Sequence, residues 1–498
     1  MFRIFLFLLC WCTLYASKAQ NLNFCSELKK INTIVETKHY QPKPLNDSLA
    51  KGVFGLFLDE IDERKRFFTK ADIELFKKDE LQIDDYIKNK TCDFTALYAQ
   101  VLKQRISDSK QILELLREQP LDYSGVDSLR YNADKDYSYF KSKASVTKYW
   151  NKKVRFKILT KLVENDSVIE HISSNFTTLE TSIKQKIIDN EICLLNELES
   201  SKGSIENFVN AAFLNAFLKY QDPNSIYLSN SDKNLFEESV SNSQLSFGIK
   251  TIKKKNGDII IANIVPGSSA FKHGGFEIND VIISLKSTKA SLDTYCTSNE
   301  TVTSFINDGN IKSMAFKIKK QSGQIKTLKL TKSKVNIEGN SITGYLLEGD
   351  HTIGYINIPS FYTDLESLNG LGVSNDVAKQ IYKLQRAKIA GLIIDLRFNG
   401  GGSMKEAADL SGMFIDRGPV AISKVRDIEN YTIRDPNRGT IFTKPIIILV
   451  DQFSASASEF FASAMQDYNV AIIIGSTTHG KATSQIILPV GTSNPLVL

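Results

Sequence analysis

Long hydrophobic runs are scarce in this chain of 498 residues. No segment, the N-terminal apolar run included, reaches the ~20 apolar residues that a spanning helix needs. Charge of one sign is also thin. The formal net charge is +6, and no long Lys/Arg cluster occurs, which argues against a nucleic-acid partner. The lysines of Ile252–Asp258 read as the solvated turn of a hairpin. Cysteine is sparse, at six residues. Cys10 and Cys12 sit in the N-terminal run. Cys25, Cys92, Cys193 and Cys296 show no paired short spacing, which argues against a zinc site. Histidine is rarer still: His39, His171, His273, His351 and His479 are all there are. No internal repeat is evident.

What is present is ordinary globular material, 42% hydrophobic and 24% charged. The length suggests about three domains. "MFRIFLFLLCWCTLYASKAQ" has one early cation, Arg3, then an apolar run, then small residues ending in Ser17-Lys18-Ala19. That is a secretory signal layout, with cleavage expected after Ala19. The mature chain is expected to be periplasmic or secreted, with no other transmembrane segment. An oxidising compartment permits a disulfide. Cys25–Cys92 is the leading pairing within one domain, and scattered buried thiols are the alternative.

Three characters of sequence follow one another. Residues 20–238 repeat apolar positions at three and four, as in "TALYAQVLKQRISDSKQILELLREQ", and read as a helical domain. "QDPNSIYLS" ends this part with a turn built on Asp222-Pro223-Asn224. Residues 239–335 read as strand, turn, strand and short helix, with Gly, Asn and Asp at the turns. Residues 336–498 alternate continuous apolar strands with helices, an α/β layer whose sheet is covered on both faces.

Functional groups in such a layer gather where strands end. Two stretches fit. "DLRFNGGGS" (Asp395–Ser403) has three glycines in a row, which expose backbone N–H groups. "DQFSASASEFF" (Asp451–Phe461) carries Ser454, Ser456 and Ser458 between a buried strand and a helix. A serine there meets N–H groups and a dipole that favour a developing anion. A plain helix cap explains a serine there equally simply. Two bases are open. His479 with Asp467 would complete a Ser-His-Asp triad. Lys481 would serve if burial strips its proton, a drop of about three pKa units. Read as a strand, "HGKATSQIILPV" puts Lys481 and Gln485 on one face, so that Gln485 orients the amine. The Ser-x-x-Lys matches at Ser48, Ser107 and Ser145 lie in the helical region without partner motifs. The glycine loop lacks the Lys-Ser/Thr ending of a phosphate-binding loop.

"SASASE", "AMQDY" and "GKATSQ", with "GYINIPSFY" and "GLIIDLRFNGGG", resemble the catalytic signature of the C-terminal processing (tail-specific) peptidases. "FLDEIDERKRFFTKADIELF" and "DPNSIYLSNSD" are similar to the helical N-terminal region of the family's tail-specific protease branch. "VPGSSAFKHGGFEINDVII" resembles its PDZ domain. The resemblance implies a multidomain α/β protein: a helical N-terminal domain, a PDZ-like domain and a crotonase/ClpP-like protease domain. It implies Ser456 as nucleophile, Lys481 as base and Gln485 as its orienting partner. The oxyanion would be held by the N–H groups of Gly401 and Ala457, with Asp467 as a supporting residue. Phe247, Gly248 and Ile249 would supply the carboxylate-binding loop of the PDZ domain. The implied activity is that of an exported serine endopeptidase recognising apolar C-terminal tails, with an adaptor lipoprotein as a candidate partner and no metal or cofactor.

The sequence departs from the pattern in three places. It has "HGKA" where "FGKG" is usual, and "INDVI" where "GD.I" is usual. It also stops soon after Lys481, where the family continues, so the C-terminal part of the protease domain is expected to be missing. Two other functions compete. One is a non-catalytic PDZ-bearing scaffold with a degenerate or truncated protease domain. The other is an acyl-CoA enzyme of crotonase-like architecture, against which the signal layout and the PDZ segment argue.

Overall fold

The structure is a computed structural model. It describes residues 24–498 apart from 127, 130–136, 201–202, 229–240, 242, 255–256, 337–341, 365–370, 428, 436–438 and 491–493. The signal segment expected at 1–19, with Cys10 and Cys12, lies outside the described residues.

Apolar spacings of three and four make the first part helical. Its long helices are Asp47–Asp62, Phe94–Glu118, Lys143–Asn165, Phe176–Ser200 and Ile205–Gln221. Local chemistry fixes their starts. Asn46 accepts the N–H of Leu49, and Ser204 that of Asn207. Ile205–Gln221 is central: Val209, Phe213, Phe217 and Leu218 are fully buried. The Phe213 ring meets those of Phe24, Phe57 and Phe94 edge-on. Phe213→Ala would cost about 3–5 kcal/mol. Cys25 is bonded to Cys92, the pairing expected within this part. Cys193 is bonded to Cys296, a pairing the spacing did not single out.

The second part is an antiparallel sheet with two short helices. Ile249–Lys253, Ile259–Ile264, Val281–Lys286, Ser313–Lys319 and Ile325–Thr331 pair in that spatial order, and Ser291–Asp293 joins the middle strand. The entering strand Ser243–Ser246 pairs with the leaving strand Ser333–Asn336, closing the part at its stem. At the "INDVI" departure, Asn279 takes φ +73°, a region that Asn tolerates better than most residues. Next to it, Asp280 is fully buried and paired with Lys320 Nζ at 2.8 Å. Among the described residues, two ties join this part to the helices. The Cys193–Cys296 bond is one tie. The other is Glu197, whose carboxylate accepts Ser298 N–H (2.8 Å) and Thr301 Oγ1–H (3.0 Å).

The third part is a five-stranded sheet in the order Thr343–Leu347, Ile353–Asn357, Gly391–Asp395, Ile446–Val450 and Ala471–Gly475. The first pair is antiparallel and the others parallel. Helices Val373–Arg386, Met404–Gly412 and Ala457–Asp467 pack on it around Ile356, Leu392, Ile394, Ile448 and Phe461. The parallel strands end together, so the loops after Asp395, Val450 and Gly475 share one edge. A separate hairpin, Gly418–Ser423 with Tyr431–Asp435, was not anticipated from the sequence.

The last strands leave this layer. Ile487–Val490 and Asn494–Val497 pair with each other, and the second pairs with Ile226–Tyr227, just after the long central helix. Val490 and Leu496 join the core of the helical part rather than that of the α/β layer.

Candidate active site

The strand Ile446–Val450 delivers the serine stretch to the sheet edge. There a turn is built almost entirely from its own side chains. Asp451 accepts the N–H groups of Phe453 (3.0 Å) and Ser454 (3.1 Å), and also that of Phe398 (3.0 Å) from the neighbouring glycine loop. Ser454 is fully buried, and its hydroxyl donates to Leu396 O at 2.8 Å. Ser458, equally buried, donates to Asn399 O at 2.9 Å. Both flanking serines therefore hold the turn against the glycine loop.

Ser456 is different. It is partly buried and sits immediately before the helix Ala457–Asp467, with φ +55° and ψ −113°. A side chain held at positive φ costs on the order of 1–3 kcal/mol and persists only where its surroundings enforce it. Ala457, the first helical residue, donates its N–H to no acceptor among the described residues.

Gly401 lies against this turn. Its φ is +104°, and a Cβ there would stand 2.7 Å from Ala455 O and 2.9 Å from Ser456 Cβ. No larger residue fits. Its N–H, expected to face an oxyanion, donates instead to Asn399 Oδ1 at 2.9 Å. Asn399 is completely buried. Its side-chain amide donates to Ile358 O (2.8 Å), and its backbone carbonyl accepts Ala455 N–H (3.0 Å). It locks the two loops together.

The loop after Gly475 approaches from the other side. Residues 481–486 form no strand. The same-face argument for Lys481 and Gln485 therefore fails, because the strand begins only at Ile487. The two side chains meet nonetheless: Lys481 Nζ donates to Gln485 Oε1 at 2.6 Å. No hydrogen bond joins Lys481 Nζ to Ser456 Oγ. Burial lowers the Lys481 pKa, and the negative charges of Asp222 and Glu459 oppose that shift without reversing it.

Glu459 organises this loop, and sequence reasoning missed it. One carboxylate accepts four donors: Ser456 N–H (2.8 Å), Thr478 Oγ1–H (2.7 Å), Gly480 N–H (2.6 Å) and Lys481 N–H (2.9 Å). Burial alone would push its pKa up. The hydrogen bonds outweigh burial and hold the carboxyl below its ordinary range. The signal was present, since Ser456-x-x-Glu459 has capping-box spacing. Asn399 left no such signal.

The other expected site residues fall as follows. Asp467 is exposed at the far end of the helix, about 16 Å along its axis from Ser456. No contact brings it to Lys481 or His479. The His479 ring is exposed, and only its backbone N–H reaches the serine turn, at Ser454 O (3.0 Å). The triad geometry is therefore not formed. In the second part, Phe247 is buried in the core. Gly248 has φ +77°, and its N–H donates to Ser246 Oγ at 3.0 Å. Ile249 begins the edge strand and pairs with Ile264.

The serine turn, the glycine loop and the lysine loop thus lie together along one edge of the α/β layer. Residues 352–497 match peptidase family S41, and residues 31–231 match the tail specific protease N-terminal domain. The chain belongs to the C-terminal processing (tail-specific) peptidases. It is 29% identical over 470 residues to the tail-specific protease of Haemophilus influenzae, across 92% of this chain and 63% of that one. It is 28% identical over 308 residues to a probable CtpA-like serine protease of Staphylococcus aureus, across 60% of this chain and 56% of that one. The chain thus spans less than two thirds of the length of these curated relatives. Among solved structures, it is similar to a photosystem II D1 C-terminal processing protease, at 20% identity and TM-score 0.32, over 62% of this chain and 86% of that one. Among the described residues, no helix is long and apolar enough to cross a membrane.

Proposed function

We propose that this protein is an exported serine endopeptidase that cleaves with Ser456 and Lys481 and takes substrates by apolar C-terminal tails. One observation carries the reading. Ser456 alone of the three serines is held at positive φ, between Gly401 and Ala457, while Ser454 and Ser458 spend their hydroxyl protons on backbone carbonyls. Ser456 Oγ attacks the scissile carbonyl, and Lys481 takes its proton and passes it to the leaving amine. The Ala457 N–H faces the developing oxyanion, joined by Gly401 N–H once it leaves Asn399 Oδ1. Water then releases the acyl-enzyme. Gln485 holds the amine until substrate draws it to Ser456, in keeping with catalytic hydrogen bonds that tighten only when substrate is bound. The α/β layer reads as the crotonase/ClpP-like protease fold.

The second part reads as a PDZ-like domain. In support, Ile249–Lys253 is an edge strand, flanked by helix Asn299–Asn307. Strand addition there would present a tail's backbone to the edge and its carboxylate to the 247–249 loop. Asn299 Nδ2 now donates to Thr251 O at 3.2 Å, and Thr303 Oγ1 meets Thr251 Oγ1 at 3.3 Å, so an added strand must displace these contacts. Two disulfides fit an oxidising compartment.

A non-catalytic scaffold is the second reading. It is favoured by the absence of a Ser456–Lys481 hydrogen bond and by the committed Gly401 N–H. Incubation with an unfolded protein ending in an apolar tail separates the two. The endopeptidase cleaves it, Ser456→Ala does not, and amidating the tail slows cleavage several-fold. Tail binding without cleavage by the parental chain would establish the scaffold.

A further inference from the structure

The lysine loop is held from two sides, and one of them belongs to the helical part. Asn224 Nδ2 donates to Thr483 Oγ1 at 3.3 Å. Gln485 Nε2 donates to the same oxygen at 3.0 Å, while Gln485 Oε1 accepts from Lys481 Nζ at 2.6 Å. A threonine oxygen has two lone pairs and a glutamine amide offers an acceptor and donors, so each bond in this chain is satisfiable at once. Behind Asn224 stands Asp222, whose Oδ1 accepts the Asn224 N–H (2.8 Å) and its amide (3.3 Å).

The two ends of this chain differ in rigidity. Asp222 caps the central helix, donating its N–H to Leu218 O, and its carbonyl accepts Ser225 N–H. Tyr227 N–H donates to Asn215 Oδ1 at 2.9 Å, and Ile226 and Tyr227 pair with Val497 and Leu496. The 222–227 segment is thus fixed on the buried helical core. The 481–486 segment has no secondary structure of its own, so geometry is imposed from the first on the second.

We propose that Asp222 and Asn224, contributed by the helical part, are positioning residues for the Lys481 base and act on it through Thr483 and Gln485. This rests on the reading of Lys481 as base. The helical part thereby completes the active site rather than only adjoining it. Asn224 sets where the amine waits. Asp222 fixes Asn224 and adds a negative charge beside the amine. The charged groups facing Lys481 are Asp222, from the helical part, and Glu459, from the nucleophile helix. His39 Nε2 lies 4.0 Å from Asp222 Oδ2, and His479 shares the lysine loop.

The test uses the full chain and two readouts. The first is kcat and KM on a tail-bearing substrate across pH. The second is competitive acetylation of Lys481 by acetic anhydride across pH, read by mass spectrometry without substrate. Asn224→Ala and Thr483→Val should each lower kcat about tenfold with KM within about twofold. The double variant should be no worse than either alone, because both break one chain. Thr483→Ser, which keeps the hydroxyl, should restore most of the rate. Asp222→Asn keeps the acceptor and removes the charge. It should move both the Lys481 acetylation midpoint and the acid limb of kcat/KM to lower pH, since the lost anion had favoured the protonated amine. Thr483→Val lies outside the helical core and guards against a folding defect in Asn224→Ala. Full kcat in Asn224→Ala and Thr483→Val, additive losses in the double variant, or an unmoved acetylation midpoint in Asp222→Asn would overturn the proposal. Failure of the base reading looks different: Lys481→Arg would then cleave as well as the parent. The acetylation profiles of Asn224→Ala and Asp222→Asn would still report whether the turn governs Lys481.

Discussion

The nucleophile turn and the lysine loop face each other across one edge of the sheet but are built in opposite ways. The turn is self-supporting. Asp451, Ser454, Ser458 and Asn399 knit residues 451–458 to the glycine loop, and the three last named are fully buried. The lysine loop has little internal structure. It is held by Glu459 from the nucleophile helix, by Ser454 O through His479 N–H, and by Asn224 from the helical part. A nucleophile under backbone strain needs a rigid frame, because strain relaxes wherever the frame yields. On the proposed mechanism, a base that approaches and leaves Ser456 is better carried on a loop held at a few points.

The comparison is broken most severely at the reacting groups. Ser456→Ala and Lys481→Arg should each lower cleavage of a tail-bearing protein by at least about a thousandfold. Arginine keeps the charge but cannot give up its proton, so it separates a base from an electrostatic role. Near-parental cleavage by folded Lys481→Arg would remove the lysine from the chemistry. In the parental enzyme the rate should rise with pH through the lowered Lys481 pKa, since only the neutral amine accepts a proton.

Glu459→Ala should come next, at about thirtyfold in kcat, corresponding to about 2 kcal/mol. It frees four donors at once, three in the lysine loop and one at Ser456, whose turn keeps the bonds made by Asp451, Ser454, Ser458 and Asn399. Its pH signature has a definite sign. The folded carboxyl titrates below its unfolded value, so the anchor is fully present above the ordinary carboxylate range and is lost as pH falls through the folded pKa. In Glu459→Ala, limited proteolysis should find the 476–486 loop at neutral pH. Equal protection in parent and variant would show that the anchor is dispensable.

Asn399→Ala tests the other region. It leaves Ile358 O and Gly401 N–H without partners in a buried site, costing about 2–3 kcal/mol of stability. Denaturant unfolding reads it, and the loss should exceed that of Glu459→Ala. The reverse ranking would mean that the lysine loop, not the turn, carries the stability of this edge. Ser454→Ala and Ser458→Ala should do least. Each should cost about 1–2 kcal/mol of stability and leave cleavage within about threefold, since Ser458 loses its bond to Asn399 O and Ser454 loses those to Leu396 O and from Asp451 N–H, all away from the reacting atoms.

Much of this was legible in the residues. Helix and sheet follow from spacing: periods of three and four before residue 222, and continuous apolar runs such as "KPIIILV" later. The serine turn and the glycine loop were legible because both stand at strand ends. The oxyanion donors were only partly so. Gly401 does lie against Ser456, but whether its N–H points at substrate depends on Asn399, 57 residues before Ser456. Lys481 and Gln485 were paired through an assumed strand that does not form, and it is Thr483 and Asn224 that bring them together. Asp467 shares the nucleophile helix, but helical rise carries it to the far end.

By itself, the sequence determined the order of three architectures and the candidate nucleophile and lysine, and it left Cys25–Cys92 as the leading pairing beside the alternative of free thiols. The architectures rest on local patterns, periodicity and turn chemistry, which are properties of neighbouring residues, and the choice of Ser456 and Lys481 rests on the family resemblance. Only the tertiary structure decided that Cys193 meets Cys296, that Glu459 gathers four donors, and that the strands after Lys481 pack on the helical core beside Ile226–Tyr227. The physical reason is distance along the chain. Asn224 and Thr483 are separated by 259 positions, and no local pattern encodes a hydrogen bond across them. It forms because the central helix and the last strands bury apolar surface together, and that burial brings the two side chains within reach.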